Sequence, residues 1–228
     1  MGDHFFRHRL QRGGLVTSRD DYLLSITSGK RVVHVGCVDW PLSQERLRDG
    51  SLLHEKLLLN AESVLGVDVD TKGMVRLQNT LGGLYSNIDL TDSDVNTNEV
   101  TAFKPDVILA GDVIEHVSSG QDLLNGLARL VNETEADLVL TTPNSLAIRN
   151  VFNTALGLEM VHPDHSCIYS PLNLRTLVER SGLQVQNWTY YSIKTGHDPM
   201  HRLYDSMSRL PARIRHAWAD GHIVQCGI

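Results

Sequence analysis

The stretch Arg31–Trp40, RVVHVGCVDW, joins a strand-forming run to the glycine that ends it. Its first three valines are β-branched residues, which are typical of buried strands. Gly36 then allows a sharp turn, but the positions where a dinucleotide-binding loop has its further glycines are Val38 and Trp40. The stretch therefore predicts a first core strand followed by a variant ligand-binding turn. It disfavours a dinucleotide site, because the missing glycines are those that admit a pyrophosphate.

Short apolar runs alternate with longer segments of helical period along most of the chain. This alternation predicts βαβ units and an α/β fold with a doubly wound, mostly parallel sheet. The strands predicted in this way are Arg31–Gly36, Ser63–Asp68, Leu84–Ile88, Asp106–Gly111, Ala136–Thr142 and Leu183–Ser192. The helices predicted between them are Leu42–Asn60, Thr71–Leu81, Gly120–Val131 and Pro171–Ser181.

The length of 228 residues fits one domain with a sizeable core. We expect a single domain over 1–228, divided into a helical extension at 1–29, a core at 30–192 and a C-terminal helix and strand at 193–228. The tail has helical period over Met200–Ala219, interrupted by Pro211. The last eight residues, GHIVQCGI, alternate like a final strand.

Composition limits the partners and the compartment. The formal net charge is −6 and basic residues form no block, which disfavours nucleic acid as a partner. Three cysteines, odd in number and far apart, favour a reducing environment. The sequence has no signal peptide and no apolar run long enough to cross a bilayer, so we expect a cytoplasmic protein without a membrane partner. A basic stripe in the tail is compatible with a homo-oligomer.

Polar or turn-forming residues follow nearly every predicted strand. Ligands of open parallel sheets bind beyond the carboxyl ends of the strands, so these positions mark the candidate site. Asp68, after the second strand, can accept hydrogen bonds from both hydroxyls of a ribose, and Asp89, after the third, can accept one from an adenine amino group. Each residue alone is as typical of a turn or a helix cap. Their shared register with the strands favours a nucleoside-containing ligand.

The same segments resemble the class I S-adenosylmethionine-dependent methyltransferases. The resemblance runs from about Lys30 to Ser192 and is carried by VVHVGCVDW, VLGVDVD, PDVILAGDVIEHV, LVLTTPN and HPDHSCIYSPLNLRTLVERSGLQV. It implies a Rossmann-like sheet of seven strands whose last strand is antiparallel, which suits GHIVQCGI. It also implies S-adenosyl-L-methionine as the cofactor. One departure from the family pattern is His34, where the first motif usually has an acidic residue.

The resemblance also implies which residues hold the cofactor. Gly36 would lie beside the methionine part and Asp68 would hold the ribose hydroxyls, while Asp89 and Leu90 would border the adenine. The whole expected set is Gly36, Cys37, Asp68, Val69, Asp89, Leu90 and Asp112. Because this cofactor has no pyrophosphate, side chains in place of the two missing glycines are compatible with a working variant of the turn.

The segment Asp112–His116, DVIEH, is the most distinctive local feature. In a helical turn its two acids and its histidine lie at i, i+3 and i+4 and face one way. The segment resembles the acid-x-x-Glu-His element of magnesium- or manganese-dependent O-methyltransferases, those of ubiquinone biosynthesis and those that modify small RNAs. The resemblance implies a Mg²⁺ or Mn²⁺ site. The implied ligands are Asp112, Glu115, His116 and His165, with His162 as an alternative to His165.

Without a metal, the same segment would organise the methyl acceptor. The expected catalytic residues are His116, Glu115 and His165, and His116 is the preferred general base because an unperturbed imidazole titrates near neutral pH. The region Leu146–Ile168 is polar with few aromatic residues, which favours O-methylation of a polar small molecule or a glycan. Two alternatives stay open. One is an RNA 2′-O-methyltransferase, and the other is a catalytically silent relative that only binds.

Overall fold

The structure is a computed structural model that describes residues 8–193 and 199–228. The other parts of the expected N- and C-terminal segments, 1–7 and 194–198, lie outside the described residues. The strands are β1 (Gly14–Val16), β2 (Arg31–Val35), β3 (Ser63–Asp68), β4 (Leu84–Asn87), β5 (Val107–Gly111), β6 (Asp137–Pro143), β7 (Gln184–Tyr191) and β8 (Gly221–Gly227). The helices are α1 (Arg19–Thr27), α2 (Ser43–Arg48), α3 (Leu53–Asn60), α4 (Thr71–Leu81), α5 (Asn98–Phe103), α6 (Gly120–Thr134), α7 (Ile148–Ala155), α8 (Pro171–Arg180) and α9 (Pro199–Ile214), with a short 3₁₀ turn at His216–Trp218.

The strands form one sheet in the order β1-β7-β8-β6-β5-β2-β3-β4. Neighbouring strands are parallel except at β8, which is antiparallel to both β6 and β7. The predicted α/β fold with a doubly wound, mostly parallel sheet and an antiparallel last strand is therefore confirmed. The strand order reverses between β2 and β5, so the crevice beyond their carboxyl ends is the expected ligand site.

The sheet has an eighth strand, which the sequence-based prediction of seven missed. β1 pairs in parallel with β7, with Gly14 opposite Thr189. The segment before it is tied to the same strand, because the Tyr190 hydroxyl donates to the Gln11 carbonyl at 2.9 Å. The extension predicted to be helical thus contains an edge strand before α1. A run of three residues is too short for alternation to reveal it.

The helices also differ from the prediction, mainly at two places, and α6 continues to Thr134, three residues past its predicted end. The segment predicted as one helix from Leu42 to Asn60 is divided into α2 and α3. Gly50 takes φ +68 at the break, and the Asp49 carboxylate accepts from the Ser51 N–H at 3.0 Å, which stabilises a turn there. In contrast, Pro211 does not interrupt the tail helix but lies inside α9, near its end. The helix predicted at Thr71–Leu81 is confirmed with the same bounds.

Apolar side chains cover both faces of the sheet. On one face α6 and α8 bury Leu124, Leu127 and Leu174, and on the other α1 and α3 bury Leu23 and Leu57, all fully. Burying a leucine side chain contributes roughly 1.5–3 kcal/mol, so both layers fix the sheet firmly. None of the described helices has the length and the apolar character needed to cross a bilayer.

Candidate active site

The turn after β2 is built around Gly36, whose φ is +76. Its N–H donates to the Val67 carbonyl at 2.8 Å, which ties the turn to β3. A Cβ at position 36 would overlap the side chain of Val113, which follows β5. Only glycine combines this left-handed backbone with so close an approach. The loops after β2 and β5, at the strand-order reversal, can therefore pack against each other because residue 36 is glycine.

The carboxylate of Asp68 holds the rest of this turn. It accepts hydrogen bonds from the backbone N–H of Val38 and from that of Asp70, each at 2.9 Å. The Val38 side chain is buried, and a Cβ on Gly73 of α4 would overlap it. Val38 therefore packs against the start of α4 instead of projecting into the crevice. Trp40, at the position of the other missing glycine, is 65% exposed.

Three other residues predicted to hold the cofactor, Asp89, Leu90 and Val69, lie along the same edge of the sheet. Asp89 is exposed, and its carboxylate accepts from the N–H (2.9 Å) and the hydroxyl (2.6 Å) of Thr91. Leu90 is buried against α6, where a Cβ on Gly126 would overlap its carbonyl. Val69, next to Asp68, is 64% exposed. This edge thus presents an acid and an apolar side chain to solvent.

A chain of buried polar side chains lies beneath the turn, and sequence reasoning missed it. The Nδ1 atoms of His34 and His54 are 3.1 Å apart, and Nε2 of His54 is 3.1 Å from the Tyr85 hydroxyl. Burial lowers the pKa of His34 well below its usual range and that of His54 to about 4, so both rings are neutral at pH 7. Cys37 beside them is fully buried, and burial raises the pKa of its thiol. Cys37 can therefore offer a cofactor only its backbone.

Asp112, after β5, contacts the N-terminal part of the chain across the crevice. Its carboxylate is paired with Arg19 of α1. It also accepts from the Thr141 hydroxyl at 2.8 Å and from that of Tyr191 at 3.4 Å. Arg19, Asp112 and Tyr191 belong to the lining of a cavity of about 440 Å³, which also has Lys56 in its wall. No spacing rule links residue 19 to residue 112, so this pair could not be predicted from the sequence.

Glu115 is fully buried. One carboxylate oxygen, Oε2, accepts from the Thr142 hydroxyl of β6 at 2.9 Å. The other, Oε1, is buried without a hydrogen-bond partner among the described residues. Burial raises the pKa of this carboxyl to about 7. Glu115 is therefore a largely enclosed group below the crevice and not a surface carboxylate.

Three histidines from two loops form a cluster beside the crevice. The ring centroids of His116 and His165 are 4.6 Å apart. The ring centroid of His162 lies 5.9 Å from that of His116 and 5.3 Å from that of His165. One ring nitrogen from each histidine lies within 4.8 Å of the others. Burial, and then the neighbouring histidines, lower the pKa of both His116 and His165. His116 and His165 are therefore mainly neutral imidazoles at pH 7.

The predicted metal set is not assembled in the structure. His116 and His165 meet, with the alternative His162, but Asp112 is paired with Arg19 and Glu115 is buried against Thr142. The reason is the backbone after β5. Asp112 has φ +53 and does not begin a helix, so the i, i+3, i+4 geometry does not apply. Because Mg²⁺ and Mn²⁺ prefer oxygen ligands, three imidazoles do not fit the predicted ion.

A second cavity, of about 350 Å³, opens beside the cluster. His165 and Ser166 form part of its wall, together with α7 and the loop that follows it. The lining combines polar with apolar side chains, among them Asn150, Glu159, Met160, Cys167 and Ile168. This cavity has room for a small molecule or for one unit of a larger one.

The sequence matches a family model described as a methyltransferase domain over residues 7–187. This is most of the chain, and the protein belongs to that methyltransferase family. No curated protein sequence gives a significant match.

Solved structures of similar fold include three with different activities in their descriptions. Magnesium protoporphyrin IX methyltransferase from Synechocystis, with bound SAH (S-adenosylhomocysteine), is 15% identical with a TM-score of 0.54, over 91% of this chain and 80% of that one. The small RNA methyltransferase HEN1 is 16% identical with a TM-score of 0.57, over 92% of this chain and 24% of that one. The cyclase SpnF is 14% identical with a TM-score of 0.51, over 91% and 80%.

At these identities the likeness establishes the fold and leaves the substrate open. The family match defines the chain as a methyltransferase.

Proposed function

We propose that this protein transfers the methyl group of S-adenosylmethionine to an oxygen of a polar small molecule or a glycan. The observation that supports this most is the arrangement along one edge of the sheet. The Gly36 turn and Asp68 lie at the carboxyl ends of β2 and β3. The histidine cluster combines His116, which follows β5, with His162 and His165 of the segment after α7. A cofactor and an acceptor would therefore meet in one crevice.

Asp68 would bind the ribose of the cofactor. Each of its carboxylate oxygens already accepts one backbone hydrogen bond, from Val38 or from Asp70. A carboxylate oxygen can accept a second hydrogen bond, so both ribose hydroxyls have an acceptor. Val69 would pack against the adenine ring, and Asp89 would accept from its amino group. Leu90 would border the ring through its backbone.

The amino-acid end of the cofactor would lie near Gly36, Cys37 and Asp112. This end carries an ammonium and a carboxylate, and the crevice offers a matching ion pair in Asp112 and Arg19. A carboxylate would accept from Arg19 while Asp112 accepts from the ammonium. The backbone of Gly36 and Cys37 would approach the methionine chain closely, because residue 36 has no side chain.

Methyl transfer needs alignment more than covalent chemistry. The sulfur, the methyl carbon and the acceptor oxygen must lie in line, and the C–S bond breaks as the C–O bond forms. The acceptor hydroxyl loses its proton, which leaves a neutral ether and S-adenosylhomocysteine. His116 and His165 lie where the acceptor would enter and would assist that proton loss. Glu115, enclosed below them, would act as a positioning residue for the turn that carries His116.

The acceptor would occupy the cavity beside His165. The polar part of its lining suits a hydroxyl-bearing molecule, with Asn150 and Glu159 as hydrogen-bonding groups. RNA is not the proposed acceptor, because the formal net charge of −6 opposes a polyanion and the likeness to HEN1 concerns only the fold.

The test is methyl transfer from radiolabelled S-adenosylmethionine to a panel of sugars, polyols, nucleotide sugars and short RNAs. We expect labelling of a sugar or polyol at oxygen, and a rate at least about 100-fold lower in His116→Ala, the usual effect of losing a group that moves a proton. His8→Ala, at an exposed histidine outside the cluster, is the matched control and should leave the rate unchanged. Labelling of RNA alone would contradict the proposed acceptor.

A further inference from the structure

We propose that His116, His162 and His165 bind a divalent transition-metal ion of the zinc type, in a site that is open toward the acceptor cavity. This site would extend the proposed function, because the ion would bind the same acceptor hydroxyl that receives the methyl group. Binding of the ion depends only on the three side chains, and its role in methyl transfer depends on the proposed function.

The spacing of the rings is close to that of a metal site. Zinc binds histidine nitrogen at about 2.0–2.1 Å, so the nitrogens of a tetrahedral site lie about 3.3–3.4 Å apart. The cluster has one nitrogen from each histidine within 4.8 Å of the others. Each ring would have to move by no more than about 1 Å to reach zinc-ligand distances. Side-chain rotation can supply this, because His116 is exposed and the other two are half-buried.

Backbone contacts hold the two histidine loops face to face. The N–H of Ser166 donates to the Glu115 carbonyl at 2.7 Å, and its hydroxyl donates to the Val117 carbonyl at 2.7 Å. The N–H of His165 donates to the His162 carbonyl at 3.0 Å, which closes the second loop into a turn. The cluster is thus set by the fold, so an ion would meet ligands that are largely in place.

A further observation points to a ligand at this place. Nδ1 of His165 is buried and has no hydrogen-bond partner among the described residues. Leaving such an atom unsatisfied costs about 1–3 kcal/mol, which a bound ion would offset. The backbone N–H of Asp164 donates to Nδ1 of His162 at 3.3 Å, which holds this ring in place within the second loop. An ion bound through Nδ1 would replace this hydrogen bond.

The donor set decides which ions suit the site. Three imidazoles with no oxygen ligand favour zinc and its neighbours over magnesium or calcium. Three protein ligands also leave a fourth position open, as in catalytic zinc sites. An ion there lowers the pKa of a hydroxyl that binds to it. The acceptor proton would then pass to solvent through the cavity before the methyl group is transferred.

The experiment is metal titration of the full chain, purified without a histidine tag and freed of metal. Calorimetry follows Zn²⁺ binding, and visible absorption follows Co²⁺, whose spectrum reports four-coordinate geometry. We expect one ion per chain and no competition from excess Mg²⁺. His162→Ala and His165→Ala should each weaken binding at least about 100-fold, since loss of second-sphere partners alone costs 10–100-fold. His8→Ala should bind as the wild type does.

Absence of zinc binding in a folded sample would overturn the site, and so would binding that both cluster substitutions leave unchanged. Circular dichroism confirms folding, and His165→Gln replaces His165→Ala if the alanine variant unfolds. Titrating S-adenosylhomocysteine into the same samples separates the two proposals. Cofactor binding without zinc binding would remove the metal site alone, and zinc binding without cofactor binding would support the site and contradict the proposed function.

Discussion

The two halves of the crevice are held together by different kinds of contact. In the proposed cofactor half, at the ends of β2, β3 and β4, the carboxylates of Asp68 and Asp89 accept from backbone N–H groups of the same edge, as Asp68 does from Val38. In the proposed acceptor half, at residues 112–117 and 162–166, contacts join segments that are far apart in the chain, as Asp112 contacts Arg19 and Ser166 contacts Glu115. The first half is fixed by strand register, whereas the second depends on how remote segments pack.

The largest effect is expected from Asp68→Asn, which tests the cofactor half. The substitution removes one of two charge-assisted acceptors and puts an amide NH₂ against a backbone N–H. Hydrogen bonds to charged groups contribute about 1.5–3 kcal/mol each, so affinity for S-adenosylhomocysteine should fall at least about 100-fold. Calorimetric titration measures the change.

Asp92→Asn is the matched control, because Asp92 is an exposed acid that also accepts a backbone N–H, that of Asp94 at 2.9 Å. It should change affinity by less than about twofold, as surface substitutions usually do. An Asp68→Asn protein that still binds like the wild type would break the claim that backbone-bonded acids organise the cofactor half.

The buried histidines beneath the cofactor half predict a loss of stability in acid. An unfolded histidine is protonated below its usual pKa near 6.5, whereas His54 stays neutral until about pH 4 in the folded state. The unfolded state therefore binds more protons in this window. The free energy of unfolding should fall as the pH drops from 6.5 toward 4, by about 1.4 kcal/mol per pH unit for each such group.

Urea unfolding at several pH values measures this slope. His54→Leu should reduce the pH dependence of the free energy of unfolding by the contribution of one histidine, about 1.4 kcal/mol per pH unit. This holds whether or not the substitution changes stability at pH 7. His8→Leu, at an exposed position, should leave the slope as in the wild type. A slope that is the same in all three proteins would show that the buried pair does not control acid stability.

A smaller effect is expected from Gly36→Ala, which probes how closely the two halves approach. Alanine at position 36 would have to adopt φ +76, and its Cβ would overlap the side chain of Val113. The free energy of unfolding should therefore fall by about 2–3 kcal/mol. Gly50→Ala is the control, since Gly50 has φ +68 with open space around it and should cost only about 1 kcal/mol. Adding Val113→Ala to Gly36→Ala should recover the difference. Equal costs at both glycines would contradict the close contact.

The smallest effect is expected for the contact between Arg19 and Asp112 in the acceptor half. A double-mutant cycle with Arg19→Ala and Asp112→Ala should give a coupling of about 1–2 kcal/mol, because the pair is only partly exposed. The helix pair Arg175 and Glu179, at 3.6 Å, is the control and should give no more than about 0.5 kcal/mol. Equal coupling energies for the two ion pairs would mean that the crevice does not strengthen the interaction between Arg19 and Asp112.

The sequence was most informative where function follows strand register. The sheet, its antiparallel last strand and the positions of Asp68 and Asp89 follow from alternation and from residues that end strands. It was least informative where a contact joins distant segments. Nothing in the pattern links Arg19 to Asp112, and only the family resemblance suggested His165, or His162 in its place, as a neighbour of His116. The left-handed backbone at Asp112 is also invisible in sequence, and it separates the acids predicted as metal ligands from the histidines.

The central claim is that the turn with one glycine still admits the cofactor, because Val38 packs inward and Trp40 lies at the surface. Isothermal titration of S-adenosylhomocysteine into the wild-type protein tests it most directly. The expected result is one binding site per chain with a dissociation constant in the micromolar range. No heat of binding in a demonstrably folded sample would mean that these side chains close the site, and the protein would then be a silent relative of the methyltransferases.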